Sequence, residues 1–89
     1  MITNFNMNSN KLSNLPNSLF AIPTLKLLDV SHNQLGTPKV PGSCLSEAIG
    51  QCQTLVELHL SGNELTSLPE SIGDLVNLEV FQAKDNKLA

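Results

Sequence analysis

Residues 55–78 read LVELHLSGNELTSLPESIGDLVNL. Leu55, Leu58, Leu60, Asn63, Leu65, Leu68, Pro69, Ile72 and Leu75 fall on the pattern L-x-x-L-x-L-x-x-N-x-L-x-x-L-P-x-x-I-x-x-L, and Leu78 begins it again 23 residues after Leu55. A fixed period in the twenties means one small structural unit per period. No such unit can bury its apolar face alone, so each buries it against the next.

The same template runs through the rest of the chain. Upstream it gives Leu25, Leu28, Val30, Asn33 and Leu35. One copy earlier it gives Ile2, Phe5, Met7, Asn10, Leu12, Leu15, Pro16, Leu19 and Ile22, with Ile2 and Leu25 again 23 apart. Downstream, Leu78, Phe81, Ala83, Asn86 and Leu88 open a fourth copy that reaches Ala89. Leu25 and Leu55 are 30 apart, so the second copy carries 30 − 23 = 7 extra residues. Leu45, Ile49 and Cys52 fit the end of the template, which puts the insertion near 36–43, GTPKVPGS. The expectation is one domain over 1–89, with units at about 2–24, 25–54, 55–77 and a partial 78–89.

These positions resemble the leucine-rich-repeat family over essentially all 89 residues. The L-P-x-x-I-x-x-L ending is similar to the intracellular class found in Ras-associated scaffolds, in scribble- and erbin-like adaptors and in plant Ras-group repeat proteins. The second unit departs from that class, because it is longer and lacks the Leu-Pro pair. The resemblance implies an α/β solenoid, a horseshoe segment. A parallel sheet of about four strands would line its concave side, with short helices or 3₁₀ turns on the convex side. It also implies protein binding on the concave wall, with small GTPases or phosphatase subunits as partners.

Each unit is expected to supply one strand: 4–8, 27–31, 57–61 and 80–84. Strand residues alternate sides, so Phe5/Met7, Leu28/Val30, Leu58/Leu60 and Phe81/Ala83 should face the core. Asn10, Asn33, Asn63 and Asn86 follow the strands where the chain turns. A buried amide there must satisfy backbone groups, since an unpaired one costs about 1–3 kcal/mol. Outside, 17–20 and 70–75 each follow a proline, which suits a brief helix. Ser46 is placed to cap 47–51, and Leu45, Ala48, Ile49 and Cys52 recur at helical spacing, which predicts the longest convex helix, roughly two turns. The insertion holds Pro38, Pro41 and Gly42 and is expected to be an extended, exposed loop. Loops of this kind tolerate length changes, so the insertion reads as a length variation before it reads as a binding loop.

Composition narrows the function. The formal charge is −3 and no basic run exists, so nucleic acid is not an expected partner. No stretch of about 18 apolar residues exists for a membrane span, and the N-terminal MITNFNMNSN lacks the layout of a signal peptide. Two cysteines make no disulfide framework. Cys52 stands at an apolar template position, Cys44 stands at the end of the insertion, and no Asn-x-Ser/Thr acceptor occurs. A reducing, cytoplasmic location is expected, with a local Cys44–Cys52 bridge as the alternative.

Solenoid ends need polar caps, and neither end of this chain carries one. The expectation is a fragment of a longer array ahead of a natural short chain that closes its own edges, with self-association through the uncapped ends in either case, since an open strand edge is a template for pairing.

The solvent-facing strand positions form columns. Asn4, Leu27, Glu57 and Val80 make one; Asn6, Asp29, His59 and Gln82 the next; Asn8, Ser31, Ser61 and Lys84 a third; Ser9, His32, Gly62 and Asp85 lie beyond. Leu27 and Val80 are apolar where solvent is expected, and His59 stands between Asp29 and Gln82. Leu27, Asp29, Glu57, His59, Val80 and Gln82 are the candidate partner-binding residues, although scattered apolar surface residues are also ordinary. A catalytic reading of His59 with Asp29 needs a nucleophile and an oxyanion site, and only Ser31 and Ser61 stand near. His32, His59 and the cysteines lack metal-ligand spacing, and no glycine-rich phosphate loop occurs, so no enzyme and no cofactor is expected. Two functional readings stand: an intracellular scaffold or adaptor that binds protein through the concave face, or a structural spacer within a longer array. An extracellular microbial-recognition fragment is the third, disfavoured by the missing cysteine caps, acceptors and signal.

Overall fold

Alternation of apolar and polar residues makes half-buried strands, and here the strands stack at the repeat period. The computed structural model describes residues 3–87 and contains β1 (Asn4–Asn6), β2 (Leu27–Asp29), β3 (Glu57–His59) and β4 (Val80–Gln82). All pair in parallel in the order β1-β2-β3-β4. The template residues Ile2 and Leu88, and the terminal Ala89, lie outside the described residues. Each strand is two residues shorter than the spacing predicts. The ladder nevertheless continues past its end, with Val30 N–H donating to His59 O (3.0 Å) and His32 N–H to Ser61 O (2.7 Å). The chain stops being a strand because it turns: Ser9, His32, Gly62 and Asp85 all have positive φ, at 58°, 56°, 74° and 55°.

The core lies between the sheet and the outer wall. Leu25, Leu28, Val30, Leu35, Ile49, Leu55, Leu58 and Leu60 are fully buried, with Phe20 and Leu65 nearly so. The expected inward residues of the outermost strands are less covered. Met7 and Phe81 keep 37% and 41% of their surface, since β1 and β4 each have one neighbour in the described sheet.

The outer wall is built from three 3₁₀ segments, Asn17–Ala21, Glu47–Gln51 and Glu70–Asp74. The second is no longer than the others, contrary to the expected two-turn helix. It packs between its two neighbours, so its pitch must match theirs, and Cys52 ends it with a non-helical backbone. The spacing identifies its start correctly: Ser46 Oγ accepts the Ala48 N–H at 3.1 Å. Pro16 and Pro69 are extended N-cap residues rather than members of the first turn.

The insertion is also corrected. Its tip is exposed as expected, but instead of running extended it folds into consecutive turns, with Val40 N–H donating to Thr37 O (3.3 Å) and Ser43 N–H to Val40 O (3.0 Å). Ser43 Oγ closes the loop: it accepts the Gly36 N–H at 2.9 Å and donates to Ser13 O of the first repeat. Thr37 is buried, while Pro38, Lys39, Pro41 and Gly42 are exposed.

Candidate functional site

Three adjacent strands carry the concave wall. The register aligns Leu27 with Glu57 and Glu57 with Val80, and Asp29 with His59 and His59 with Gln82. The six candidate residues therefore form two adjoining rows across β2, β3 and β4. Asn4 and Asn6 extend the same rows on β1. Leu28 and Leu58, between them in sequence, point the opposite way and are completely buried. All six keep some exposure; Gln82 is exposed and the other five are half-buried. Neighbours within a row lie about 4.8 Å apart, and the two rows, two residues apart along each strand, about 6.6 Å apart, which puts one ligand within reach of both.

His59 is the centre of the polar contacts. Its Nδ1 lies 3.2 Å from Gln82 Oε1, and its Nε2 lies 3.2 Å from Glu57 Oε1. The spacing points to Asp29 as the neighbour of His59, and the register agrees, but Asp29 directs its oxygens elsewhere. Its Oδ1 accepts the Ser31 N–H at 3.0 Å and its Oδ2 accepts from Asn8 Nδ2 at 3.4 Å. Partial burial pushes the Asp29 carboxyl up, but the Ser31 backbone and hydroxyl, Asn8 and the nearby His59 charge together hold it below its ordinary 3.8. The Glu57–His59 pair is the contact that column reading missed. Its signal was present, because residues two apart in a strand share a face.

The Asn ladder is legible in sequence, but its burial is uneven. Asn33 and Asn63 are 7% and 5% exposed, Asn86 is half-buried and Asn10 is exposed. Asn33, Asn63 and Asn86 use Oδ1 to accept the N–H of Leu12, Leu35 and Leu65, each in the preceding repeat, at 3.0, 3.0 and 3.1 Å. Their amide groups donate to carbonyls of both repeats, as Asn63 does to Val30 O (3.0 Å) and Leu60 O (2.9 Å). These residues hold the wall in register and do not face a ligand.

Chemically the wall offers hydrogen bonds and apolar contact. Ser61 Oγ is engaged by the Lys84 N–H at 3.2 Å. Among the described residues, no group of three or more His, Cys, Asp or Glu side chains gathers around a metal-sized space. Cys44 is exposed and Cys52 buried, and both are free thiols rather than the alternative bridge. No described helix is long and apolar enough to cross a membrane.

Comparison with known proteins agrees with this geometry. The Leucine Rich Repeat family model matches residues 54–75, and a second Leucine Rich repeat model matches 21–38. An LRR protein of Leptospira interrogans superposes with a TM-score of 0.82 at 37% identity, over 93% of this chain and 19% of that one. The chain belongs to the leucine-rich-repeat family. Lumican of Gallus gallus is 37% identical over 90% of this chain. TMV resistance protein N of Nicotiana glutinosa is 38% identical over 89%, and leucine-rich repeat serine/threonine-protein kinase 1 of Mus musculus is 36% identical over 98%. This leucine-rich-repeat chain spans 21%, 7% and 4% of those three proteins. Leucine-rich-repeat domains generally mediate protein–protein interaction, and the fold is typically not itself an enzyme. The names of the relatives differ widely, so what they share with this chain is the repeat.

Proposed function

We propose that this leucine-rich-repeat chain is a protein-interaction module that binds its partner through the concave wall, in the manner of an intracellular scaffold or signalling adaptor. The observation that carries the reading is the register of Leu27, Glu57 and Val80 beside Asp29, His59 and Gln82. It sets two apolar anchors on either side of a carboxylate, next to a row of polar groups. A few centrally placed anchors carry most of the energy at an interface, and flanking charges set specificity and on-rate. A cytoplasmic setting fits two free thiols and a chain without glycosylation acceptors. Small GTPases and phosphatase subunits are the partners that the L-P-x-x-I-x-x-L resemblance suggests, and association of copies through the outer strands would be a further contact.

The second reading is a spacer within a longer array. It is favoured by the small share of each relative that this chain spans. A tagged pull-down separates the two, comparing the native chain with a triple Glu57→Ala, His59→Ala, Gln82→Ala variant of unchanged circular dichroism. A partner lost only with the triple variant supports the wall. A partner kept by both moves the site to the convex side or the 36–43 loop, and no partner at all supports the spacer.

A further inference from the structure

The two apolar residues of the concave wall lie across the strands. Along β2 and its continuation the wall reads Leu27, Asp29, Ser31; along β3, Glu57, His59, Ser61; along β4, Val80, Gln82, Lys84. A ligand that follows one strand therefore meets one apolar residue at most. Leu27 and Val80 are gathered only by a ligand that crosses the sheet in register, and the crossing takes it over Glu57. The two anchors are two strand spacings apart, about 9.6 Å. An extended chain sets same-side residues about 6.6 Å apart. One such step falls short and leaves nothing over Glu57, and two, about 13 Å, overshoot. A helix rises about 1.5 Å per residue, so i and i+7 lie about 10.5 Å apart on one face, with i+3 about 4.5 Å from the first. That pitch matches the row.

We propose that the concave wall takes an amphipathic helix laid across β2, β3 and β4, with apolar residues at i and i+7 on Leu27 and Val80 and a basic residue, Arg or Lys, at i+3 on Glu57. The inference rests on the concave-wall reading and gives its partner a chemistry. The sign of the charge comes from the wall. Asp29 and Glu57 are its carboxylates, on neighbouring strands in neighbouring rows, while Lys84 lies two residues beyond Gln82, in the third row. His59 Nε2 stands 3.2 Å from Glu57 Oε1, which leaves Oε2 to a partner's cation. Asp29, tied to Ser31 and Asn8, gives the flank of the same helix a second carboxylate. A ligand that covers Glu57 without a cation strips water from an unpaired charge, and one with an acid there adds repulsion, so both are disfavoured.

The test uses the whole chain and three synthetic peptides. One is an alanine-rich helix of about 16 residues with leucines seven apart and arginine three after the first. The second replaces that arginine with glutamate. The third sets Leu-x-Arg-x-Leu in a threonine-rich, extended background. Nitrogen-15 NMR titrations follow the backbone amides of Leu27, Glu57 and Val80 and give each affinity. The arginine helix is expected to shift all three and to bind at least about tenfold more tightly than either other peptide. Glu57→Gln should remove most of that preference over the glutamate helix, whereas Glu79→Gln, exposed just before β4, should leave it. An arginine helix that binds no better than the other two overturns the proposal, as does a preference that survives Glu57→Gln. Wall amides that move with the extended or acidic peptide instead keep the concave-wall reading and remove the helix. Amides unmoved by all three also remove it, and the pull-down then decides the wall by itself.

Discussion

Asn63 and Leu35 tie the third repeat to the second: Asn63 Oδ1 accepts the Leu35 N–H at 3.0 Å, with the side chain 5% exposed. The carbonyls that Asn63 donates to, Val30 O and Leu60 O, are also reached by Asn33 and Asn86 at 2.9 Å each. Removing Asn63 therefore orphans chiefly the Leu35 N–H. Asn63→Ala should cost about 1–3 kcal/mol, the penalty of one buried unpaired donor, plus a smaller cavity cost. Asn10→Ala, at an exposed position, should stay within about 0.5 kcal/mol. Urea unfolding of the two variants decides it, and equal midpoints would contradict the ladder as drawn.

Gly36 and Gly42 both have positive φ, 87° and 82°, yet they should respond differently to alanine. A Cβ at Gly36 would stand 2.7 Å from Glu64 O and 2.8 Å from Leu65 Cα, whereas at Gly42 nothing lies within 4 Å. Gly42→Ala should carry only the left-handed backbone penalty, about 1–2 kcal/mol. Gly36→Ala should cost clearly more, because the third repeat's backbone must move. Thermal melts of both variants measure the difference.

Leu27 and Leu58 face opposite sides of adjoining strands, so truncation should separate function from folding. Leu58→Ala should lose about 2–5 kcal/mol of stability from a fully buried position. Leu27→Ala, on the wall, should change stability far less while weakening a concave-face partner by more than about 1 kcal/mol. Denaturation alongside titration calorimetry with the captured partner reads both.

The Asp29 carboxyl sits below its ordinary 3.8 in the folded chain. A depressed folded pKa means that the stabilisation is fully present above the unfolded value and is lost as pH falls through the folded one. Asp29→Asn should therefore be less stable than the native chain at neutral pH, and the gap should close on acidification. Urea midpoints across the acid range check the sign; a gap that widens toward low pH would contradict it.

The two thiols should react at different rates. Cys44 is exposed, while Cys52 is buried, and burial pushes its thiol up, against a smaller lowering by the Thr54 side chain. The thiolate is the reactive form, so a disulfide reagent should modify one cysteine in the native chain and the second only on unfolding. Rapid modification of both in the native state would contradict the burial.

Much of this was legible because the repeat writes the same instruction several times. Leu55, Leu58, Leu60 and Asn63 name a strand and a turn, and each copy confirms the register of the others. The rows of the wall follow from the same spacing. The second 3₁₀ segment was not legible, because Leu45 to Cys52 fits helical spacing locally while the neighbouring coils set its length. Nor was the 36–43 loop, whose shape depends on Ser43 reaching Ser13, 30 residues away.

The sequence by itself determined the solenoid, its parallel strand order and which side chains face the core, since these depend on periodicity and burial alone. Only the tertiary structure decided that His59 meets Glu57 and Gln82 while Asp29 turns to Ser31 and Asn8. Register places residues side by side, but rotamers choose among neighbours at similar distance, and that choice is made by hydrogen-bond geometry in the folded wall.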